Sequence, residues 1–249
     1  MPLRELSLFF PCHNEADNLE ALVAEALAAL PALATTYEVI LVDDGSRDET
    51  AGVAARLVER HGGIVRLVRH EVNRGYGGAL RSGFAAARYE HLAFTDGDRQ
   101  FRVADLALLV DAAAANRSAV IIGYRIRRAD PLLRLAYAAV YRLANRIWFG
   151  LKVRDVDCAA KLFHRDALRG IRVQSDGAFF SAELLIRLHV AGVRILEVGV
   201  PHYPRTAGLP TGARLSVITR AVRDFWSLRV GLWLNRSRAL ARGRALLGD

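Results

Sequence analysis

Short apolar runs alternate with longer stretches of helical composition through the first half of the chain. Residues 7–10, 38–42, 65–68, 92–94 and 119–122 are rich in Val, Ile, Leu and Phe and have the length of buried strands. Between them, residues 18–30, 50–60, 79–88 and 103–115 are alanine-rich and suit crossover helices. This alternation predicts an α/β domain with a mostly parallel sheet flanked by helices. In the second half the pattern predicts long amphipathic helices over 130–149 and 214–234, a shorter one over 181–191 and a strand over 194–198. No internal repeat, low-complexity tract or linker divides the chain, so a single domain is expected.

Open α/β sheets bind ligands beyond the carboxyl ends of their strands, which makes the residues after each run the candidates for chemistry. After the first run stands Pro11-Cys12-His13-Asn14-Glu15, after the second Asp43-Asp44-Gly45-Ser46, and after the fourth Asp96-Gly97-Asp98-Arg99-Gln100. Three strand ends thus direct carboxylates toward one edge. Asp96 and Asp98, with Gln100 two residues on, can offer several oxygen ligands to a hard cation, Mg²⁺ or Mn²⁺, that also holds a diphosphate. A solvated acidic turn reads the same way locally. Asp-Gly-Ser is good turn and N-cap chemistry, yet it leaves two adjacent acids, Asp43 and Asp44, which suit a base edge or a ribose. Glu15 likewise suits a helix N-terminus. Asn73-Arg74-Gly75-Tyr76-Gly77-Gly78 matches neither the P-loop nor the dinucleotide fingerprint; it reads as a tight loop or as a backbone approach to phosphate.

Composition narrows the class. The 249 residues are 52% hydrophobic and 24% charged, enough to bury a core without disulfides or structural metals. Cys12 and Cys158 lack metal-ligand spacing, the first residues carry no signal-peptide core, and Arg134, Arg142 and Arg146 interrupt the most apolar region. A cytosolic, reduced protein is expected rather than an integral membrane one. The net charge of +9 is unevenly spread: residues 1–122 carry 12 basic and 17 acidic side chains, and residues 123–249 carry 23 and 9. Arg125, Arg127 and Arg128 precede a helix in which Arg142 and Arg146 accompany Tyr137, Tyr141, Trp148 and Phe149. The stretch from Arg214 holds Phe225, Trp226 and Trp233 among eight arginines and two acids. Such helices suit an anionic membrane surface, or they pack on the sheet with their arginines in solvent. A membrane-protein partner or a second copy of the chain would also fit them. Nucleic acid is disfavoured, because no binding motif accompanies the charge.

Taken together, Pro11-x-x-Asn14-Glu15, Val42-Asp43-Asp44-Gly45-Ser46, Asn73-x-Gly75-x-Gly77, Asp96-x-Asp98-x-Gln100, Gly123-x-Arg125 and Asp157-Cys158-x-x-Lys161-Leu162-Phe163 resemble the dolichyl- and polyprenyl-phosphate hexose (mannose or glucose) synthases. These are inverting family 2 glycosyltransferases of GT-A fold, and the likeness runs in order from Leu6 to about Gly208. It implies a nucleotide-sugar-binding half over 1–122, an acceptor side over 123–212 and a basic C-terminal amphipathic helix over 213–249. It also implies a GDP-mannose or UDP-glucose type donor, a polyprenyl-phosphate acceptor, and a peripheral position on the inner membrane face. By the same resemblance Pro11, Glu15 and Asp43 hold the nucleoside, with His13, Asp44, Arg81 and Gly97 nearby. Asp96, Asp98 and Gln100 carry the metal and diphosphate, while Arg125 and Arg205 meet phosphate charge. Arg134, Arg142 and Arg214 draw in the acceptor. His13 stands where the family usually has tyrosine, and the Gln-x-x-Arg-Trp motif of processive synthases is missing, which favours single-sugar transfer.

A lipid phosphate is already anionic and needs orientation rather than a strong base. A hydroxyl acceptor would need a carboxylate base, for which Asp157 and Glu183 are the candidates, each also readable as a salt-bridge partner. Three readings follow: a membrane-peripheral polyprenyl-phosphate hexosyltransferase, a soluble family 2 transferase acting on a hydroxyl, and a noncatalytic binding protein using the fold.

Overall fold

A computed structural model describes residues 1–116, 118–126, 132–204 and 215–247, and every structural statement below is made of those residues. The two longest strands, β1 (Leu3–Cys12) and β2 (Ala34–Asp43), are buried from Leu6 and Glu38 onward. Long buried runs, apolar here but for Ser7, Glu38 and Asp43, belong to strands covered on both faces. β1 pairs in parallel with β2 on one side and with β4 (His91–Phe94) on the other, and β2 pairs in parallel with β3 (Val65–Arg69). Helices α1 (Ala16–Leu33), α2 (Thr50–Arg60) and α3 (Tyr76–Ala86) make the crossovers. α1 extends three residues past the expected end because Pro31 falls in its last turn, where only the Leu27 carbonyl loses its intrahelical partner.

The sheet continues through β6 (Lys161–His164), β5 (Val120–Arg125) and β8 (Ile195–Val200), in the order β3-β2-β1-β4-β6-β5-β8. The chain first grows outward from β1 to β2 and β3, then returns across to β4. That reversal leaves a crevice between the carboxyl ends of β1 and β4. β6 is antiparallel to both its neighbours, with Lys161 opposite Phe94. The chain leaving β4 and the chain entering β6 therefore lie at the same sheet edge. Sequence pattern does not predict β6, since only Leu162 and Phe163 among its four residues are apolar. The remaining elements are a 3-10 turn (Val103–Asp105), α4 (Leu106–Asn116), α5 (Leu132–Phe149), α6 (Arg165–Leu168), α7 (Phe180–Val190), α8 (Leu215–Leu234), α9 (Arg236–Ala241) and a two-stranded ribbon of β7 (Arg172–Val173) with β9 (Arg244–Ala245).

Five phenylalanine rings weld the layers behind the crevice. Phe84 of α3 meets Phe9, Phe94, Phe163 and Phe180 at centroid separations of 5.0, 5.9, 5.4 and 6.5 Å. The helix can sit this close because Gly83 lies on the Phe9 ring, where a Cβ would come within 2.2 Å. On the far side, α5 and α8 lie against each other through Trp148–Trp226 and Phe149–Phe225, at 5.0 and 4.9 Å. Phe84→Ala is expected to destabilise the fold by about 3–5 kcal/mol, through lost burial plus an unfilled cavity, as read from the shift of the urea denaturation midpoint; a cost under about 1 kcal/mol would show that the ring cluster does not join the layers.

Candidate active site

The loops that close the crevice are tied to one another before any ligand arrives. Asn14 takes a left-handed conformation (φ +57°), which asparagine tolerates better than most residues. Its amide donates to Ser46 Oγ at 2.9 Å and its side-chain carbonyl accepts from Arg47 N at 2.8 Å. The amide of Glu15 donates to Thr50 Oγ1 at 2.9 Å, and its carboxylate accepts from Asn18 Nδ2 at 2.6 Å. Pro11 and Cys12 end β1 in register with Val42 and Asp43. Asp43 is buried; its Oδ1 accepts from Ser46 N at 3.0 Å, while Oδ2 has no hydrogen-bond partner and the Arg69 guanidinium stands 3.8 Å away. His13 lies exposed at the rim, its Nδ1 3.0 Å from the Asp44 carbonyl.

A buried thiol reports how the acids converge. Burial pushes Cys12 well above the usual thiol range, and the charges of Glu15, Asp43, Asp96 and Asp98 push it further. Gly97 packs against the same sulfur and against the Pro11 carbonyl. Asp98 is buried and accepts from Gln100 N at 3.1 Å, and Arg99 between them adopts φ +58°. Gln100 donates through Nε2 to the Tyr203 carbonyl at 3.3 Å and accepts from Tyr203 N at 2.9 Å, so it also anchors the chain after β8. Asp96 Oδ1 accepts from the Tyr76 hydroxyl at 2.9 Å.

Several expected site residues have other partners. Asp44 accepts from Arg74 N and Gly75 N at 2.8 and 2.9 Å and from His70 Nδ1 at 2.6 Å, and His70 reaches on to Ser82 Oγ at 2.8 Å. Its carboxylate pins the glycine loop. The amides of Gly77 and Gly78 donate to the Asp176 carbonyl, so four amides of this segment already have acceptors in other loops, in keeping with its reading as a tight loop. Gly75 is required here: its φ is +86°, and a Cβ would lie 2.6 Å from Asp176 O. Arg81 pairs with the Asp176 carboxylate and donates to the carbonyls of Val173 and Ser175. Glu183 is buried and accepts from Gln174 N, Ser175 N and Arg187 Nε at 2.8, 2.8 and 2.7 Å. That set of partners includes the ion pair with Arg187, as the salt-bridge reading of Glu183 expects.

Across the crevice stands a second polar cluster. Arg125 grips Asp155 through Nε and Nη2 at 2.6 and 2.8 Å. Burial alone would lower the Arg125 pKa, but the Asp155 hydrogen bonds and charge outweigh it and raise the value. Lys161, fully buried, donates to the Cys158 carbonyl; burial draws its pKa down while Cys158, Asp157, Asp155 and Asp96 draw it up, with burial prevailing. Asp155, Asp157, Tyr141, Arg142 and Arg154 line a cavity of about 210 Å³ against α5. Arg142 Nη1 donates to the Arg154 carbonyl at 3.4 Å, and the Arg154 guanidinium covers the Tyr124 ring at 4.7 Å. Arg205 and Arg214 lie outside the described residues, as does the side chain of Arg134. Tyr76, Arg154 and Asp155 escape sequence reasoning because each acts through a partner remote in sequence.

Among the described residues no three His, Cys, Asp or Glu side chains are arranged to hold a metal unaided. The carboxylates around Cys12 nevertheless fit a hard divalent cation, because they are oxygen donors gathered about one point and a diphosphate can complete the shell.

The profile of glycosyl transferase family 2 matches residues 7–172. The chain belongs to that family. This family 2 protein is 33% identical over 212 residues to the dodecaprenyl-phosphate galacturonate synthase of Rhizobium johnstonii, covering 82% of this chain and 61% of that one. It is 32% identical over 218 residues to the human dolichyl-phosphate beta-glucosyltransferase, covering 80% and 67%. The chain thus spans about three fifths to two thirds of the length of these relatives. Among solved structures, glucosyl-3-phosphoglycerate synthase from Mycobacterium tuberculosis with Mn²⁺, UDP and glucosyl-3-phosphoglycerate superposes at a TM-score of 0.68 and 21% identity, over 92% of this chain and 80% of that one. The likeness places the family 2 chain in the GT-A fold.

Glu183→Gln leaves the Arg187 guanidinium buried beside a neutral amide. A loss of about 3–5 kcal/mol of stability is expected in chemical denaturation, with the folded fraction keeping its specific activity; abolished turnover at unchanged stability would restore Glu183 as the base.

Proposed function

We propose that this protein transfers a single hexose, with inversion, from a nucleoside-diphosphate sugar to a polyprenyl phosphate at the cytoplasmic membrane surface. The observation that carries the acceptor half is on α5. One helix supplies Tyr141 and Arg142 to the cavity beside Asp155 and Asp157, and on its outer side exposes Tyr137, Val140, Leu143, Ile147 and Trp148. α8 extends that surface with Ile218, Val222, Trp226 and Val230 at four-residue spacing, followed by Trp233. An apolar face of this extent with arginines around it suits the headgroup region of an anionic membrane. No helix among the described residues is long and apolar enough to cross one. A lipid-linked phosphate presented there has its charged end beside the cavity. The two relatives whose names specify dodecaprenyl and dolichyl phosphate support the same acceptor class.

On the donor side, Asp43 and Glu15 would take the nucleoside, with His13 at the rim, and Asp96, Asp98 and Gln100 would hold Mg²⁺ or Mn²⁺. When bound, the cation supplies neutralising charge to the departing diphosphate. Phosphate oxygen of the lipid attacks the anomeric carbon from the face opposite the diphosphate; the new bond is C–O–P and the nucleoside diphosphate leaves. The acceptor enters as an anion, so the chain's task is to aim it, through Arg142 and Arg154 in the cavity. Arg125 contributes by holding Asp155 in the cavity wall. A second reading, a hydroxyl acceptor, is favoured by the presence of Asp157 in the same cavity, where it could serve as base.

Radiolabelled UDP-glucose or GDP-mannose, supplied with polyprenyl phosphate and Mn²⁺, is expected to give an organic-extractable product. Asp98→Ala should reduce that label about 100-fold or more, and Asp157→Asn should leave most of it. Label confined to water-soluble product and abolished by Asp157→Asn would replace this proposal with the hydroxyl-acceptor reading.

A further inference from the structure

Tyr76 opens α3 and reaches across the crevice to the loop after β4, where its hydroxyl donates to Asp96 Oδ1 at 2.9 Å. Its backbone is clamped from both sides. The amides of Arg74 and Gly75 just before it are held by Asp44, and those of Gly77 and Gly78 just after it by the Asp176 carbonyl. Asp176 is itself paired with Arg81, one turn along the same helix, and Ser175 beside it donates to Asp224 Oδ2 of α8 at 2.7 Å. A side chain with two torsions, mounted on so constrained a backbone, has little freedom left.

Its chemistry toward the acids is one-directional. A phenol O–H set against a carboxylate oxygen is the donor of the pair, because an ionised carboxylate can only accept. A neutral donor orders a carboxylate without cancelling its charge. A ligating carboxylate that is ordered in advance binds a cation more tightly than one that must be ordered on binding.

We propose that Tyr76 is the positioning residue of the donor-site cation, its hydroxyl holding the Asp96 carboxylate in place for a divalent metal bound with a nucleoside diphosphate. This rests on the assignment of Asp96 to the cation in the proposed function. It extends that assignment to a residue whose role no local pattern reveals, since the hydrogen bond joins the glycine loop to a strand end twenty residues on. Loss of an ordering partner to a metal ligand characteristically costs about tenfold or more in metal affinity.

The test needs neither sugar nor acceptor. Free Mn²⁺ is titrated with protein in the presence of UDP or GDP and followed by electron paramagnetic resonance, for the wild type, Tyr76→Phe, Asp96→Asn and the double variant. Tyr76→Phe is expected to weaken Mn²⁺ binding about tenfold, with the melting temperature of the metal-free protein preserved. In the Asp96→Asn background it should weaken the residual binding no further. Wild-type affinity in Tyr76→Phe, with or without a change in melting temperature, overturns the proposal and leaves the transferase reading standing. So does an equal loss in both backgrounds, which would mark general packing. If the wild type binds no Mn²⁺ with either nucleotide, the proposal and the donor-site assignment fall together.

Discussion

Like charges brought together in a partly buried crevice repel, and the arrangement of this site follows from that constraint. Two carboxylates about 6 Å apart at an effective dielectric of about 20 oppose each other by roughly 3 kcal/mol. Here Glu15, Asp43, Asp96 and Asp98 all bear on one buried thiol. Backbone amides and neutral donors meet part of the cost: Ser46 N for Asp43, Gln100 N for Asp98, the Tyr76 hydroxyl for Asp96 and the Asn18 amide for Glu15. The buried cation Lys161 stands on the β6 side and donates to the Cys158 carbonyl. Carboxylate oxygens gathered this closely suit a cation accompanied by an anionic ligand, the pairing that the proposed metal-bound nucleoside diphosphate would bring.

Topology produces the crowding. Parallel growth on either side of β1 brings the ends of β1, β2 and β4 to one edge, and the antiparallel insertion of β6 brings residues 155–160 to that same edge by placing Lys161 beside Phe94. The first arrangement gathers the carboxylates of the crevice; the second supplies the wall of the α5 cavity. α5 and α8 pack on the core with one face and leave a second apolar face outside.

What could be read in advance follows from the range of the interactions. Buried parallel strands appear as continuous apolar runs, and the polar residues that end them mark the site, so the loops after β1, β2 and β4 are legible locally. Resemblance across the assembled motifs added the family. Pairings between distant segments leave no such mark. Nothing near Gly77 announces that its amide serves Asp176, nothing near Arg125 names Asp155, and Glu183 carries no local sign that Gln174, Ser175 and Arg187 engage it. β6 is hidden for a related reason: its strand character comes from its neighbours β4 and β5 rather than from its own four residues.

The central claim is that the acids at the β1 and β4 ends form a cation and diphosphate site. Crystals soaked with Mn²⁺ and a nucleoside diphosphate address it directly, through the anomalous scattering of the metal. A manganese peak at direct ligand distance from Asp96 or Asp98, with the nucleoside against Asp43, is the expected result. A nucleotide lodged among the arginines of α5 and α8, with the acidic crevice empty of metal, would contradict it.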